Sequence, residues 1–243
     1  MKKGILSIDI ETAFAYGHTP MKEPRARNDP IPISPIRSNM DSMGCMEGFR
    51  QIGDRVVAFS AIKFEPNGVP EPIFSKAGEN ENELLNGVVD VVDWWKKQNP
   101  ATVVVISYNG WGFDRGFVAW RLHAHGCGPQ VVRDWREMFN RKNSVDLYYA
   151  FKNDVDCNIP KSVLENQKMD TVLKFFGIYE PCDIEPFGVI SGEVVGDLVK
   201  MDNPEAWEAI REYNLGDCQR NYALYKTLDQ LGFIPSDKSI EAF

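Results

Sequence analysis

Residues 4–12, Gly-Ile-Leu-Ser-Ile-Asp-Ile-Glu-Thr, form an apolar, β-branched run that carries two acids two positions apart. Side chains alternate along a strand, so Ser7, Asp9 and Glu11 share one face while Ile8 and Ile10 point into whatever packs beneath. Two carboxylates side by side on a buried face repel each other, and burial pushes both toward the protonated form. A cation between them, commonly a divalent metal, removes that conflict. Simple solvation of the acids at a strand end would remove it as well. Acid-x-acid recurs at Glu79/Glu81/Glu83, Asp154/Asp156 and Asp183/Glu185, but there it does not lie on an apolar strand.

Where such a strand sits depends on its neighbours. Thr102–Ser107 (TVVVIS) is a continuous apolar run, the pattern of a central strand covered on both faces. It leads into Tyr108-Asn-Gly-Trp-Gly-Phe-Asp114 and then a helix from about Arg115 to His125, closed by Gly126. Ligand sites in open α/β sheets gather at the carboxyl ends of central strands, where Asn109 and Asp114 fall. Each also has a plain reading: Asp114 as a helix N-cap, Asn109-Gly110 as an ordinary turn.

Further strands are expected at Arg55–Phe64, at Pro72–Ser75 after the turn Pro66-Asn-Gly68, and at Ser144–Ala150. Asn80–Gln98 has apolar residues at 84, 85, 88, 91, 92 and 95, which is helical spacing, with Trp94 and Trp95 read as packing. Lys161–Phe176 reads as a helix ending at Gly177, and residues 178–200 as loop with a short helix near 193–200. Residues 13–50 hold five prolines and no helical or strand period, so they read as a loop-rich insertion in a single domain spanning 1–243. Lys22, Arg25 and Arg27 could make that insertion a flap over phosphates, or it is a decoration.

The final helix begins at Asn203-Pro204 and carries Ile210, Tyr213, Asp217, Leu224, Leu228 and Leu231 on one stripe. Asp217 is therefore a carboxylate in line with core-facing leucines, with Tyr213 one turn before it. The same spacing at Tyr225–Asp229 puts Asp229 about 120° off the stripe, toward water. Gly216 costs the helix about 1 kcal/mol relative to alanine and suggests a close backbone or ligand approach.

The chain has a net charge of −8 and a pI of about 5.0, which excludes a generally basic nucleic-acid coat but suits an enzyme gripping a short part of a polyanion. Between Arg115 and Lys142, however, six basic residues face two acidic ones, and Trp135 and Phe139 are interleaved with Arg133, Arg136 and Arg141. Base stacking with phosphate contact would use that mixture, as would a solvated helix face. His123 and His125 diverge on a helix and make a poor metal pair. The five cysteines, 45, 127, 157, 182 and 218, are widely spaced and read as reduced thiols. Met1-Lys-Lys precedes too short an apolar run for a signal peptide, so a soluble, cytoplasmic protein with no membrane partner is expected.

Four carboxylates (Asp9, Glu11, Asp114, Asp217) and Tyr213, with no Ser/His or Cys/His pair and no Gly-rich phosphate loop, suit two divalent ions in phosphodiester cleavage. Here the chain resembles a known family. Asp9-Ile-Glu11 is similar to the first exonuclease motif of the DEDD superfamily, Asn109-Gly-Trp-Gly-Phe-Asp114 to the second, and Tyr213-Asn-Leu-Gly-Asp217 to the third in its tyrosine variant. Within that superfamily the likeness is to the 3′–5′ proofreading exonuclease domain of family B DNA polymerases. It runs from Gly4 to Leu231 apart from residues 13–50, and Ser162–Gly177 is similar to the helix between the second and third motifs. The long insertion and the lack of a polymerase domain are departures from the pattern.

The resemblance implies a ribonuclease H-like α/β fold, a five-stranded mixed sheet with helices on both faces. It also implies 3′–5′ exonuclease activity on single-stranded DNA 3′ ends with two Mg²⁺ or Mn²⁺ ions. Asp9 would bridge the metals, Glu11 and Asp217 would complete the inner site, and Asp114 would hold the outer metal through water. Tyr213 would orient the attacking water, and Thr12, Asn109 and Phe113 would contact the terminal nucleotide. Three alternatives stay open: the same chemistry on RNA, a non-catalytic nucleic-acid-binding module on the same fold, and a phosphatase of small molecules.

Overall fold

The computed structural model describes residues 4–13, 55–65, 67–98, 102–150 and 168–240. The insertion with Lys22, Arg25 and Arg27, the first part of the expected 161–176 helix, Cys45 and Cys157 lie outside these residues.

Along the chain run β1 (Gly4–Ala13), β2 (Arg55–Phe64), β3 (Pro70–Ala77), α1 (Glu81–Lys97), β4 (Val103–Ser107), α2 (Asp114–Ala124), α3 (Pro129–Met138), β5 (Ser144–Asp146), α4 (Leu147–Ala150), α5 (Met169–Phe175), β6 (Asp183–Ile184), β7 (Gly188–Val189), α6 (Gly192–Met201) and α7 (Pro204–Gln230). The main sheet has five strands in the order β3-β2-β1-β4-β5. β1 pairs antiparallel with β2 and parallel with β4, β2 pairs antiparallel with β3, and β4 pairs parallel with β5, so the sheet is mixed. β6 and β7 form a separate small hairpin. No helix among the described residues is long and apolar enough to cross a membrane.

Alternation along β1 and β4 builds cores on both faces. Leu6, Ile8, Ile10, Val103 and Val105 pack with α1, α2 and α3 through Leu84, Val88, Phe117, Leu122, Trp135 and Met138. On the other face Ile5, Val104 and Ile106 meet Cys218, Leu224, Tyr225 and Leu228 of α7. A third cluster joins Ala13, Val57 and Ala58 to α6 and to the first half of α7 through Val195, Leu198, Ala206 and Ile210.

Four sequence expectations need correction. Residues 144–150 are not one strand, because the chain leaves the sheet after Asp146 and enters a helical turn. The basic stretch contains a whole helix, α3, started by Pro129 at its first turn, and Trp135 and Phe139 are 0% and 1% exposed. Both rings fill the core under the sheet, and base stacking is closed to them. Asp229 does not face water. It is buried and accepts the backbone N–H of Ile240 at 2.8 Å, because residues 234–240 fold over that side of α7, while Leu231 at the helix end is exposed. Finally, a Cβ on Gly216 would meet only the Cys182 Sγ, at 3.8 Å, among the described residues, so no close backbone approach demands glycine there.

Candidate active site

β4 pairs with β1 only as far as Ser7, so Asp9 and Glu11 project beyond the carboxyl end of their parallel neighbour. Opposite them, the β1–β2 register shifts between Glu11 and Thr12: Glu11 faces Ala58, Thr12 faces Val56, and Val57 is the extra residue. Such a bulge re-aims the side chains around it. Thr12, half-buried, sits at this irregularity beside the acids.

α7 crosses the same end of the sheet. Asn203 caps it by accepting the Ala206 N–H at 2.8 Å, and Pro204 follows where its missing N–H costs nothing. The face α7 turns inward is mixed: Asn214, Asp217 and Asn221 are buried along with Cys218, Leu224 and Leu228. Asn214 donates from Nδ2 to Asp9 Oδ2 at 2.7 Å and ties the helix directly to β1. Asp9, Glu11 and Asp217 each bring a carboxylate oxygen within 4.8 Å of the others. Asp217 is buried, whereas Asp9 and Glu11 keep part of their surface in solvent.

Asp114 arrives from the far side of β4. It is the first residue of α2, whose N-cap is Phe113, so the N-cap reading of Asp114 does not hold. The chain reaches it through a turn clamped from β5. Asp146, 1% exposed, accepts the N–H groups of Asn109 at 2.9 Å, Trp111 at 2.8 Å and Tyr148 at 3.0 Å. Asn109 has φ of 61°, the left-handed region that asparagine tolerates better than most residues. At Gly110 any Cβ would collide with Ser107 and Phe139. Phe113 stacks on Phe117 with ring centroids 5.4 Å apart and is half-buried. Asp114 stays outside the three-acid group, yet its charge raises the pKa of both Asp9 and Glu11.

The electrostatics follow from burial and repulsion. Asp9 is held well above the usual carboxylate range by burial first and then by Asp217, Glu11 and Asp114, and Glu11 by burial, Asp217 and Asp114. Asp114 is pushed up to about 8 by burial and by Asp146. Asp217 reaches only about 6, because Arg220 and a hydrogen bond with the Tyr213 hydroxyl offset part of its burial. The Tyr213 phenol is driven upward by burial and then by Asp217, Glu11 and Asp9, and so keeps its proton.

All eight site residues expected from sequence thus lie at one end of the sheet, with Asp9, Glu11 and Asp217 in direct proximity. Three residues of this region were not expected. Arg220 donates from Nε and Nη2 to Asp217 Oδ1, at 2.9 and 2.5 Å. Its place three residues after Asp217 on one helix was a readable signal. Asn214 gave none beyond its place next to Tyr213. Asp146 was hidden by the reading of 144–150 as a single strand.

Hard oxygen donors crowded without enough positive charge match the preferences of Mg²⁺ and Mn²⁺. Neither the protein-family models nor the curated proteins contain a match to this sequence.

Proposed function

We propose that this protein is a metal-dependent 3′–5′ exonuclease of ribonuclease H-like fold, acting on the 3′ ends of DNA, single-stranded or frayed. The observation that carries this reading is the Asp9–Glu11–Asp217 group, three carboxylates from β1 and α7 with oxygens within 4.8 Å of one another. Asp114 stands nearby, and Tyr213 reaches Asp217. The two described histidines sit at the far end of α2 from Asp114, His123 exposed and His125 engaged with Glu81 and Asn82, so neither is placed as a base beside the acid group. The polarity and the preference for DNA rest on the motif resemblance.

Two divalent ions would supply an activated water and charge stabilisation at the leaving oxygen. The residues would share the remaining work. Asp9, Glu11 and Asp217 would hold the ions, with Asp114 as a further carboxylate nearby. Tyr213, protonated throughout the working pH range, presents its hydroxyl to the attacking water. Thr12, Asn109 and Phe113 border the place of the terminal nucleotide, with Phe113 offering a ring edge for its base. Asn214 keeps Asp9 aimed at α7, and Asp146 fixes the turn that delivers Asp114.

The test is digestion of 5′-labelled single-stranded DNA and RNA of equal length with Mg²⁺ or Mn²⁺, against chelator controls. A ladder shortening from the 3′ end of DNA is the expected result. A ladder on RNA alone would shift the reading to an exoribonuclease. No cleavage of either, together with no calorimetric signal for Mg²⁺ or Mn²⁺, would end it.

A further inference from the structure

Among the described residues, Arg220 is the one cation whose charge lowers the pKa of Asp9, Glu11 and Asp217 alike. Its side chain is 12% exposed, and a guanidinium is costly to bury and does not lose its proton. Neutralising the acids accounts for only part of its placement. Both bonded nitrogens converge on a single oxygen of a single acid, Oδ1 of Asp217. Asp9 is instead held by the neutral amide of Asn214. The guanidinium carbon lies 5.3 Å from the centroid of the Tyr213 ring, and a further contact runs to the Cys182 thiol. The two hydrogen bonds that the guanidinium gives to Asp217 thus come from Nε and Nη2, and neither comes from Nη1.

Charge counting gives this geometry a purpose. Four carboxylates and two divalent ions cancel, and a bound phosphodiester then adds an uncompensated negative charge. One fixed guanidinium removes it. Arginine suits this better than lysine, because its planar fork matches the paired oxygens of a phosphate. Tyr213, Asp217 and Arg220 succeed one another at four and three residues along α7, so the fork stands on the same flank as the tyrosine hydroxyl.

We propose that Arg220 is a substrate-positioning residue whose guanidinium hydrogens not engaged by Asp217 donate to a non-bridging oxygen of the terminal phosphodiester. This rests on the exonuclease reading above and adds a residue that its three motifs do not contain. Arg220 thereby selects for a charged linkage at the 3′ end, and a neutral linkage there forfeits the contact.

A cycle that changes the protein and the ligand in turn tests it. Binding of a 5′-fluorescent oligothymidylate is followed by anisotropy in calcium, and each oligonucleotide is checked on a gel for intact length. A second oligonucleotide carries an uncharged methylphosphonate at its last linkage only. The wild type should bind this analogue roughly 10- to 100-fold more weakly, the value of one charge-assisted hydrogen bond. Arg220→Gln should bind the two alike, and Arg220→Lys should fall between. A thermal melt of each variant checks the fold, and if Arg220→Gln is unfolded the Arg220→Lys cycle decides alone. If the methylphosphonate penalty is the same in the wild type and the variants, Arg220 does not touch that phosphate. The exonuclease reading then stands so long as the wild type shortens DNA. A wild type that neither binds nor degrades the oligonucleotides overturns both.

Discussion

Two clusters of buried charge lie on opposite faces of the same sheet, and they are built on opposite plans. Beside the helices α1 and α2, Glu81 has both oxygens occupied. Oε1 accepts the Val56 N–H at 2.8 Å and Arg121 Nε at 2.7 Å, while Oε2 accepts Arg121 Nη2 and meets His125 Nε2 at 2.9 Å. Beneath α7, among the described residues, Asp9, Glu11 and Asp217 share one guanidinium, one amide and the Tyr213 hydroxyl among three carboxylates, with a single positive charge between them. The first cluster is closed: its acid is matched by donors from the chain itself. The second is open, and its repulsion persists until something positive is added. A buried acid with its partners built in reads as architecture, and a group of acids short of partners reads as a place for a ligand.

Removing an acid should therefore have opposite consequences at the two clusters. The largest effect expected is on Asp9→Ala, which should abolish cleavage of labelled DNA while leaving the metal-free protein folded in thermal melts, since relief of repulsion with Glu11 and Asp217 offsets the loss of the Asn214 hydrogen bond. Wild-type turnover by a folded Asp9→Ala protein would defeat the metal assignment. Next, Tyr213→Phe should slow single-turnover cleavage by ~10²–10⁴-fold, the usual worth of general acid–base help, with little change in a metal titration. Loss of metal binding instead would mean that the hydroxyl serves by steadying Asp217.

Glu81→Ala sharpens the contrast from the closed side. It strands Arg121 and the Val56 N–H, and should cost ~3–5 kcal/mol, or on the order of 10 °C in Tm, with cleavage per folded molecule unchanged. A smaller effect concerns pH. The folded pKa of Asp217 is about 6 and that of Asp114 about 8, both above the ordinary value of 3.8, so the native state binds more protons than the unfolded one between those limits. Stability in chelator should accordingly rise as pH falls from 8 toward 5, by several degrees at ~3 °C per kcal/mol, and added Mg²⁺ should flatten the dependence. A Tm that falls on acidification over that range would show that the acids are matched after all. The smallest is Gly216→Ala, which should raise stability by up to ~1 kcal/mol in denaturant unfolding, because a methyl there meets only Cys182.

Sequence periodicity reached the open cluster more readily than the closed one, for a physical reason. Acids on an apolar strand and on a leucine stripe violate their local pattern, so Asp9, Glu11 and Asp217 stand out. Glu81 sits in the first turn of a helix, where an acid is ordinary, and its burial depends on Arg121 and His125, some 40 residues away. In α3 the apolar positions Val131, Val132, Trp135 and Met138 are helically spaced, but Arg133 and Arg136 between them blur the stripe, so burial of Trp135 is not evident from pattern alone. Asp229 was misplaced although its helical phase was read correctly, since phase cannot foresee a tail folded over the outer side. Asp146 depended on where β5 ends, and strand ends are set by neighbours.

The hydrogen bond between Asn214 and Asp9 joins residues 205 positions apart. That separation makes the site a long-range contact, formed only when the two ends of the described chain pack together. Until α7 is in place, Asp9 and Glu11 lack both the Asn214 amide and the neighbouring Asp217 carboxylate. Asp217 and Arg220 come together in the same closing movement, when the last long helix lies down. The electrostatic burden of the site thus falls on the packing of one helix, whose apolar residues Cys218, Leu224 and Leu228 also cover that face of the sheet, so the same contact that closes the core brings the acids together.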